Sequence, residues 1–260
     1  VLCLVGSEMC IRDRNGKQYI VTGGSRGLGR AIVKALAQAG ATVMSAQRSA
    51  DDGLDHANVH NYSVDLRDRV SIAEFCHQMP GAINGVIGNA GLLGDICRIE
   101  AGEEDTWLDT QFVNVAANYL ILRYLRERLL AAGASRSVFM TSRSAYKGKP
   151  EWSAYSASKA GLDALIMAFA AEMADTDLKV NLFSPGPMRT DMRAAAVPEE
   201  DPMTLPTPDV LAPAVLALLA DGVTHTGHIF DYSSERFCKV DMPQPVLSLI
   251  HISEPTRHKT

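Results

Sequence analysis

A run of apolar and β-branched residues, Lys17 to Thr22, passes without a spacer into Thr22-Gly23-Gly24-Ser25-Arg26-Gly27-Leu28-Gly29, and a helical pattern starts at once behind it. This turn constrains the chain more than any other segment. Glycine lets the backbone reverse sharply, lets a phosphate approach where a Cβ would stand, and lets helix and strand pack at close range. The helix that begins there, Leu28 to Ala39 with Gly40 behind it, offers unpaired N–H groups and the positive end of its dipole to the same point. A glycine string alone is a weak signal. Set between a strand and a helix, it predicts a dinucleotide pyrophosphate site.

The pattern then repeats. Ala41 to Ala46, Val59 to Val64, Ile83 to Gly88, Ser137 to Thr141, Lys179 to Phe183 and His228 to Phe230 read as strands. Val70 to Met79, Glu103 to Ala132, Trp152 to Met173 and Asp209 to Ala220 read as helices, and the proline-rich stretch from Ser184 to Pro208 as a loop or flap. Short strands alternating with longer helices predict the α/β class, as a single doubly wound Rossmann-type α/β/α domain with a parallel sheet of about seven strands.

Composition narrows the function. The chain has 260 residues, 47% hydrophobic and 21% charged, which is globular and not disordered. A net charge of -5 opposes a surface built to collect nucleic acid or acidic lipid. No apolar run approaches the roughly 20 residues that cross a bilayer, so no membrane partner is expected. Cys76, Cys97 and Cys238 lack a CxxC spacing, and His225 and His228 lack a carboxylate or thiol at ligand spacing. Reduced cytoplasmic thiols and no metal are the expectation.

The two ends read differently. Back-translation of Leu247 to Arg257 permits a DNA stretch whose reverse complement, in another frame, encodes Leu4 to Asp13. Inverted copies of one stretch at both ends are what a ligated sequencing adapter leaves. Residues 1–14 and 247–260 are therefore expected to be adapter-derived, and 15–246 to be the domain.

Two further groups carry chemistry. The second strand ends in Gln47-Arg48, where an enzyme selecting NAD usually places a carboxylate for the ribose diol. Arg48, with Arg26 in the glycine turn, suits an added phosphate, so NADP(H) is favoured over NAD(H). Tyr155 and Lys159 lie four positions apart on one helical face. A nearby ammonium favours a phenolate, which a free tyrosine reaches only near pH 10. Ser142, just after the fifth strand, can bring a hydroxyl to the same point.

Taken together, the TGxxxGxG turn, Asp65, Asn89-Ala90-Gly91, Asn114, Ser142, Tyr155-Ser156-Ala157-Ser158-Lys159 and Ser184-Pro185-Gly186-Pro187 with Thr190 resemble the short-chain dehydrogenase/reductase family, from about Lys17 to Tyr232. Gly88 departs from that pattern, since the family commonly has Asn there. The resemblance implies a catalytic tetrad of Asn114, Ser142, Tyr155 and Lys159. Tyr155 would be the general acid in carbonyl reduction and base in alcohol oxidation, Ser142 would hold the substrate oxygen, and Asn114 would break its helix to place a relay water. It also implies cofactor contacts from Gly23, Ser25, Arg26, Gly27, Leu28 and Gly29, from Arg48, Asp65 and Leu66, from Asn89, Ala90 and Gly91, from Tyr155 and Lys159, and from Pro185, Gly186, Met188 and Thr190. Arg143, Ser144 and Trp152 would face a small carbonyl or alcohol substrate. Assembly as a homotetramer or homodimer through the two long helices is expected. The alternative is a catalytically silent NADP-binding sensor or regulatory protein.

Overall fold

The computed structural model describes residues 14–240, so nearly all of both tails lies outside the described residues. Its order is β1 (Gln18–Thr22), α1 (Gly27–Gln38), β2 (Thr42–Gln47), β3 (Val59–Ser63), α2 (Arg69–His77), β4 (Gly85–Gly88), α3 (Glu104–Gln111), α4 (Ala117–Ala131), β5 (Arg136–Met140), α5 (Ser153–Glu172), β6 (Lys179–Ser184), α6 (Asp191–Ala196), α7 (Pro208–Leu218), β7 (Ile229–Asp231) and β8 (Arg236–Cys238). The strands form one sheet in the order β3-β2-β1-β4-β5-β6-β7-β8. Every pairing is parallel except β7 with β8. The order reverses between β1 and β4, which opens a crevice at the carboxyl edge of the strands.

Side-chain alternation along each strand builds two cores. Ile20, Val86, Phe139, Val180 and Leu182 face one way, against α2, α4 and α5. Tyr19, Val21, Ile87, Val138 and Phe183 face the other, against α1 and α7. Helices on both faces of a parallel sheet follow from strands that are apolar on both sides.

Three local features differ from the sequence reading. The eighth strand was not expected; it is held by Phe237, stacked on His225 at 4.1 Å between ring centroids and edge-on to Phe230 at 5.3 Å. The flap contains α6 and a short 3-10 turn, Pro202–Thr204. Arg14 is buried and donates to the carbonyls of Leu216 (2.9 Å) and Leu219 (3.1 Å) at the end of α7, so the packed body includes it. The departure at Gly88 also has a local reason. A Cβ there would lie 2.1 Å from Phe139 Cδ1 and 2.8 Å from Asn118 Oδ1, so the Phe139 ring occupies the space a larger residue would need.

Cys76 sits fully buried on α2, and burial pushes its thiol from the usual 9.0 up to about 12, with Arg128 opposing weakly. The unfolded chain releases that proton first as pH rises, so the stability tied to the neutral thiol is complete below pH 9 and is lost as pH climbs toward 12. Denaturant titrations of Cys76→Ala at several pH values should therefore show a shallower alkaline loss of stability than the parent protein, whatever the offset at neutral pH.

Candidate active site

The glycine turn is built by close approach of backbone. Gly23 and Gly27 have φ of +71° and +54°, a region costly to side chains. A Cβ on Gly29 would stand 2.1 Å from the Gly23 carbonyl oxygen, and one on Gly24 would stand 2.0 Å from Ser45 Oγ. Asn89 brackets the turn, its Nδ2 donating to the carbonyls of Thr22 (3.0 Å) and Gly23 (3.2 Å), while the N–H groups of Asn89 and Ala90 both donate to Thr22 Oγ1. The N-terminus of α1 has neither a side-chain cap nor an acidic residue in its first turn. Its orphan N–H groups and dipole therefore fit a dinucleotide pyrophosphate. Leu28 is buried beneath the turn, and Ser25 stands at its partly exposed rim.

The nucleotide-side residues are placed as follows. Gln47 is buried and turned inward, accepting from Ser45 Oγ (2.7 Å) and donating to Asn61 Oδ1 (2.9 Å). Arg48 is exposed and within electrostatic reach of Asp65, whereas Arg26 pairs with Asp191 of the flap at 3.5 Å. The structure thus sends the two arginines to different partners. Asp65 accepts from the Arg67 backbone and guanidinium, and those bonds hold its carboxyl below the usual range. Leu66 packs against the core beside it. Beyond β6, Pro185 and Gly186 turn the chain, Met188 is buried, and Thr190 caps α6 through Arg193 N–H while its methyl lies near Gly27.

The remaining residues converge on the other side of the crevice. The long helix predicted from Glu103 to Ala132 breaks at a π turn, Phe112–Ala116, centred on Asn114. Asn114 is fully buried; its Nδ2 donates to the Leu92 carbonyl (2.9 Å) and Ser158 Oγ (2.8 Å), and its Oδ1 accepts from Leu92 N–H (2.7 Å). Both amide protons are committed to protein, as in a satisfied buried amide. Gly91 lies between the ends of Asn114 and Lys159, for a Cβ there would be 3.2 Å from Asn114 Oδ1 and 3.6 Å from Lys159 Nζ.

Lys159 is only 4% exposed, and its Nζ donates to the Met140 carbonyl at 2.8 Å. Burial pulls it down to about 8, with Asp163 opposing. Tyr155, one turn earlier, has its ring centroid 5.6 Å from that Nζ. Burial pushes its hydroxyl up to about 12, and the facing Ser142 hydroxyl offsets part of the rise. In the protein without its nucleotide, desolvation therefore outweighs the neighbouring amine and favours the neutral phenol. Such a phenol is a loaded proton donor at neutral pH.

Of the expected substrate residues, Trp152 is buried edge-on against Tyr155, with ring centroids 6.0 Å apart. Ser144 shares a hydrogen bond with Ser142 (3.2 Å). Arg143 turns away to Asp231, with Nη2 2.9 and 3.1 Å from its two oxygens. Sequence reasoning missed Asp163 and Tyr146, which are bonded to each other beside Lys159. Asp163 follows Lys159 by one helical turn, a spacing that by itself does not tell a buried acid from a surface one.

A glycine turn at the carboxyl edge of a doubly wound parallel sheet places the chain in the class of dinucleotide-binding α/β proteins. The family model for short chain dehydrogenase matches residues 17–201. The chain is 35% identical over 234 residues to an uncharacterized oxidoreductase, YciK, of Escherichia coli K12, covering 84% of this chain and 92% of that one. It is 29% identical over 240 residues to the benzil reductase ((S)-benzoin forming) of Bacillus subtilis, covering 82% and 97%. A short chain dehydrogenase of Shigella flexneri solved in complex with NADP superposes with a TM-score of 0.79 at 31% identity, over 85% of this chain and 98% of that one. The chain belongs to the short-chain dehydrogenase/reductase family and is an oxidoreductase of that family.

Adding one methyl group at Gly29 should separate the turn from the rest of the fold. The Gly29→Ala variant is expected to lose at least about fivefold in NADPH affinity by fluorescence titration, since overpacking of this kind costs roughly 1–3 kcal/mol at the turn.

Proposed function

We propose that the protein interconverts a carbonyl compound and its alcohol, preferring NADP(H), with Tyr155 as general acid in reduction and general base in oxidation. The observation that carries this reading is the meeting of the Tyr155 phenol, the Ser142 hydroxyl and the buried Lys159 amine beside Gly91, across the crevice from the glycine turn. Bound there, the nicotinamide would supply or accept the hydride. The chain's own groups manage the proton and the oxygen. Ser142 donates to the oxygen on which negative charge develops, and Tyr155 delivers its proton to that same oxygen. Lys159 stands ready to favour the resulting phenolate and to reach a ribose hydroxyl. Trp152 walls the site and fixes the Tyr155 ring.

The preference for NADP(H) rests on three supports. Gln47 leaves no carboxylate at the end of β2, Arg48 is exposed at that same end, and solved relatives from Shigella flexneri and Escherichia coli carry NADP and NADPH. Assembly as a homotetramer or homodimer is supported by exposed Trp107, Leu108 and Tyr119 on α3 and α4. The free thiols of Cys76, Cys97 and Cys238 fit residence in the cytoplasm. Among the described residues no helix is long and apolar enough to cross a membrane.

Two experiments test the proposal. Benzil and cyclohexanol, named for relatives from Bacillus subtilis and Acinetobacter, are natural first probes within a wider carbonyl and alcohol panel. Tyr155→Phe should lower turnover of an accepted carbonyl by at least about a hundredfold while NADPH still binds, as loss of a general acid costs. A variant that keeps most of its rate refutes the role, and a parent protein that binds NADPH but turns over nothing favours the sensor reading. Arg48→Ala should raise KM for NADPH roughly tenfold and leave NADH unchanged, since one charged hydrogen bond to a phosphate is lost.

A further inference from the structure

Asp163 is 1% exposed, in a protein interior where carboxylates rarely go without a partner. It follows Lys159 by four residues and Tyr155 by eight on α5, so the three share one stripe of the helix. Its Oδ2 accepts from the Tyr146 hydroxyl, and its Oδ1 is buried, with the Thr141 hydroxyl facing the carboxylate. The groups that face it are the Tyr146 hydroxyl from the turn after β5, the Thr141 hydroxyl at the end of β5, and the Lys159 ammonium from α5. Lys159 in turn faces Asp163, the Tyr155 ring and the Met140 carbonyl.

Tyr146 is not an incidental donor. It closes the 3-10 turn Arg143–Ala145, whose first residue follows Ser142 directly. The bond to Asp163 therefore ties the segment bearing Ser142 to the helix bearing Tyr155. On its other flank the same turn is tied by Arg143 to Asp231 at the end of β7. Burial raises Asp163 and lowers Lys159, each toward its neutral form, and each opposes that drift in the other.

We propose that Asp163 is a positioning residue of this site: its charge keeps Lys159 an ammonium beside Tyr155, and its bond to Tyr146 pins the Ser142 turn to α5. The inference rests on the reading of Tyr155 and Lys159 given above, and its test is separable from that reading.

The direct readout is the titration of the Lys159 ammonium by NMR of the full chain labelled with nitrogen-15 lysine, with Lys159→Met identifying the resonance. In Asp163→Asn the titration should move below about 8 by roughly one pH unit, since removal of an adjacent opposite charge disfavours the ammonium. NADPH affinity should stay within about threefold of the parent, while turnover with the best carbonyl of the panel should fall on the order of tenfold through misplacement of the reacting groups. An unmoved Lys159 titration overturns the proposal, even if turnover falls. Should Asp163→Asn not fold, the double variant Asp163→Leu with Tyr146→Phe removes the charge together with the hydroxyl that donates to it, and the same titration decides. Retained turnover in Tyr155→Phe would refute the acid–base reading, leaving the Lys159 titration to judge Asp163 by itself.

Discussion

An ammonium group withdrawn from water must find compensating partners or lose its proton, and Lys159 is withdrawn almost completely. Much of the site can be understood as the set of arrangements that make this tolerable. The Met140 carbonyl at the end of β5 accepts one of its protons, Asp163 supplies opposing charge, and Gly91 leaves the room that a side chain would fill. Poised at about 8, the amine sits where a modest change in its surroundings alters its charge, unlike a surface lysine. Tyr155 is displaced by the same burial in the opposite sense, toward the neutral phenol. Desolvation alone thus leaves a protonated donor and a titratable amine one helical turn apart.

The second constraint is steric and lies across the crevice. At Gly24 and Gly29 the turn approaches β2 and its own backbone so closely that a Cβ would overlap Ser45 and Gly23. Asn89 then locks β4 to the turn through two carbonyls, so the switch point of the sheet is held from both strands that flank it. The π turn at Asn114 serves the opposite wall. By turning its amide toward Leu92 and Ser158, it joins the segment after β4 to α5. The glycine turn and the wall that carries Tyr155 and Lys159 are therefore braced against each other through β4 and the residues that follow it.

Much of this was legible in the sequence because it is local. A strand, a glycine turn and a helix in direct succession, or Tyr155 and Lys159 one turn apart, are visible from spacing alone. What escaped depends on distant partners or on short segments. Arg143 reads as a residue facing the substrate, yet its partner Asp231 stands 88 positions away. The end of β2 reads as Gln47-Arg48, but that Gln47 turns inward depends on Asn61 of the neighbouring strand. The three residues of β8 are too few to show a period, and the hydrophobic pattern runs through the π turn without a break. Asp163 was hidden by the opposite effect, since an acid in an apolar helix looks like a surface residue until burial is known.

The most direct test of the account is a crystal structure of the full chain with oxidised NADP bound. The account expects the pyrophosphate on the glycine turn, and the Tyr155 hydroxyl and Lys159 amine both turned toward the nicotinamide end, with Lys159 still beside Asp163. A nucleotide lodged elsewhere, or a Tyr155 hydroxyl directed away from the nicotinamide while the turn is filled, would contradict it.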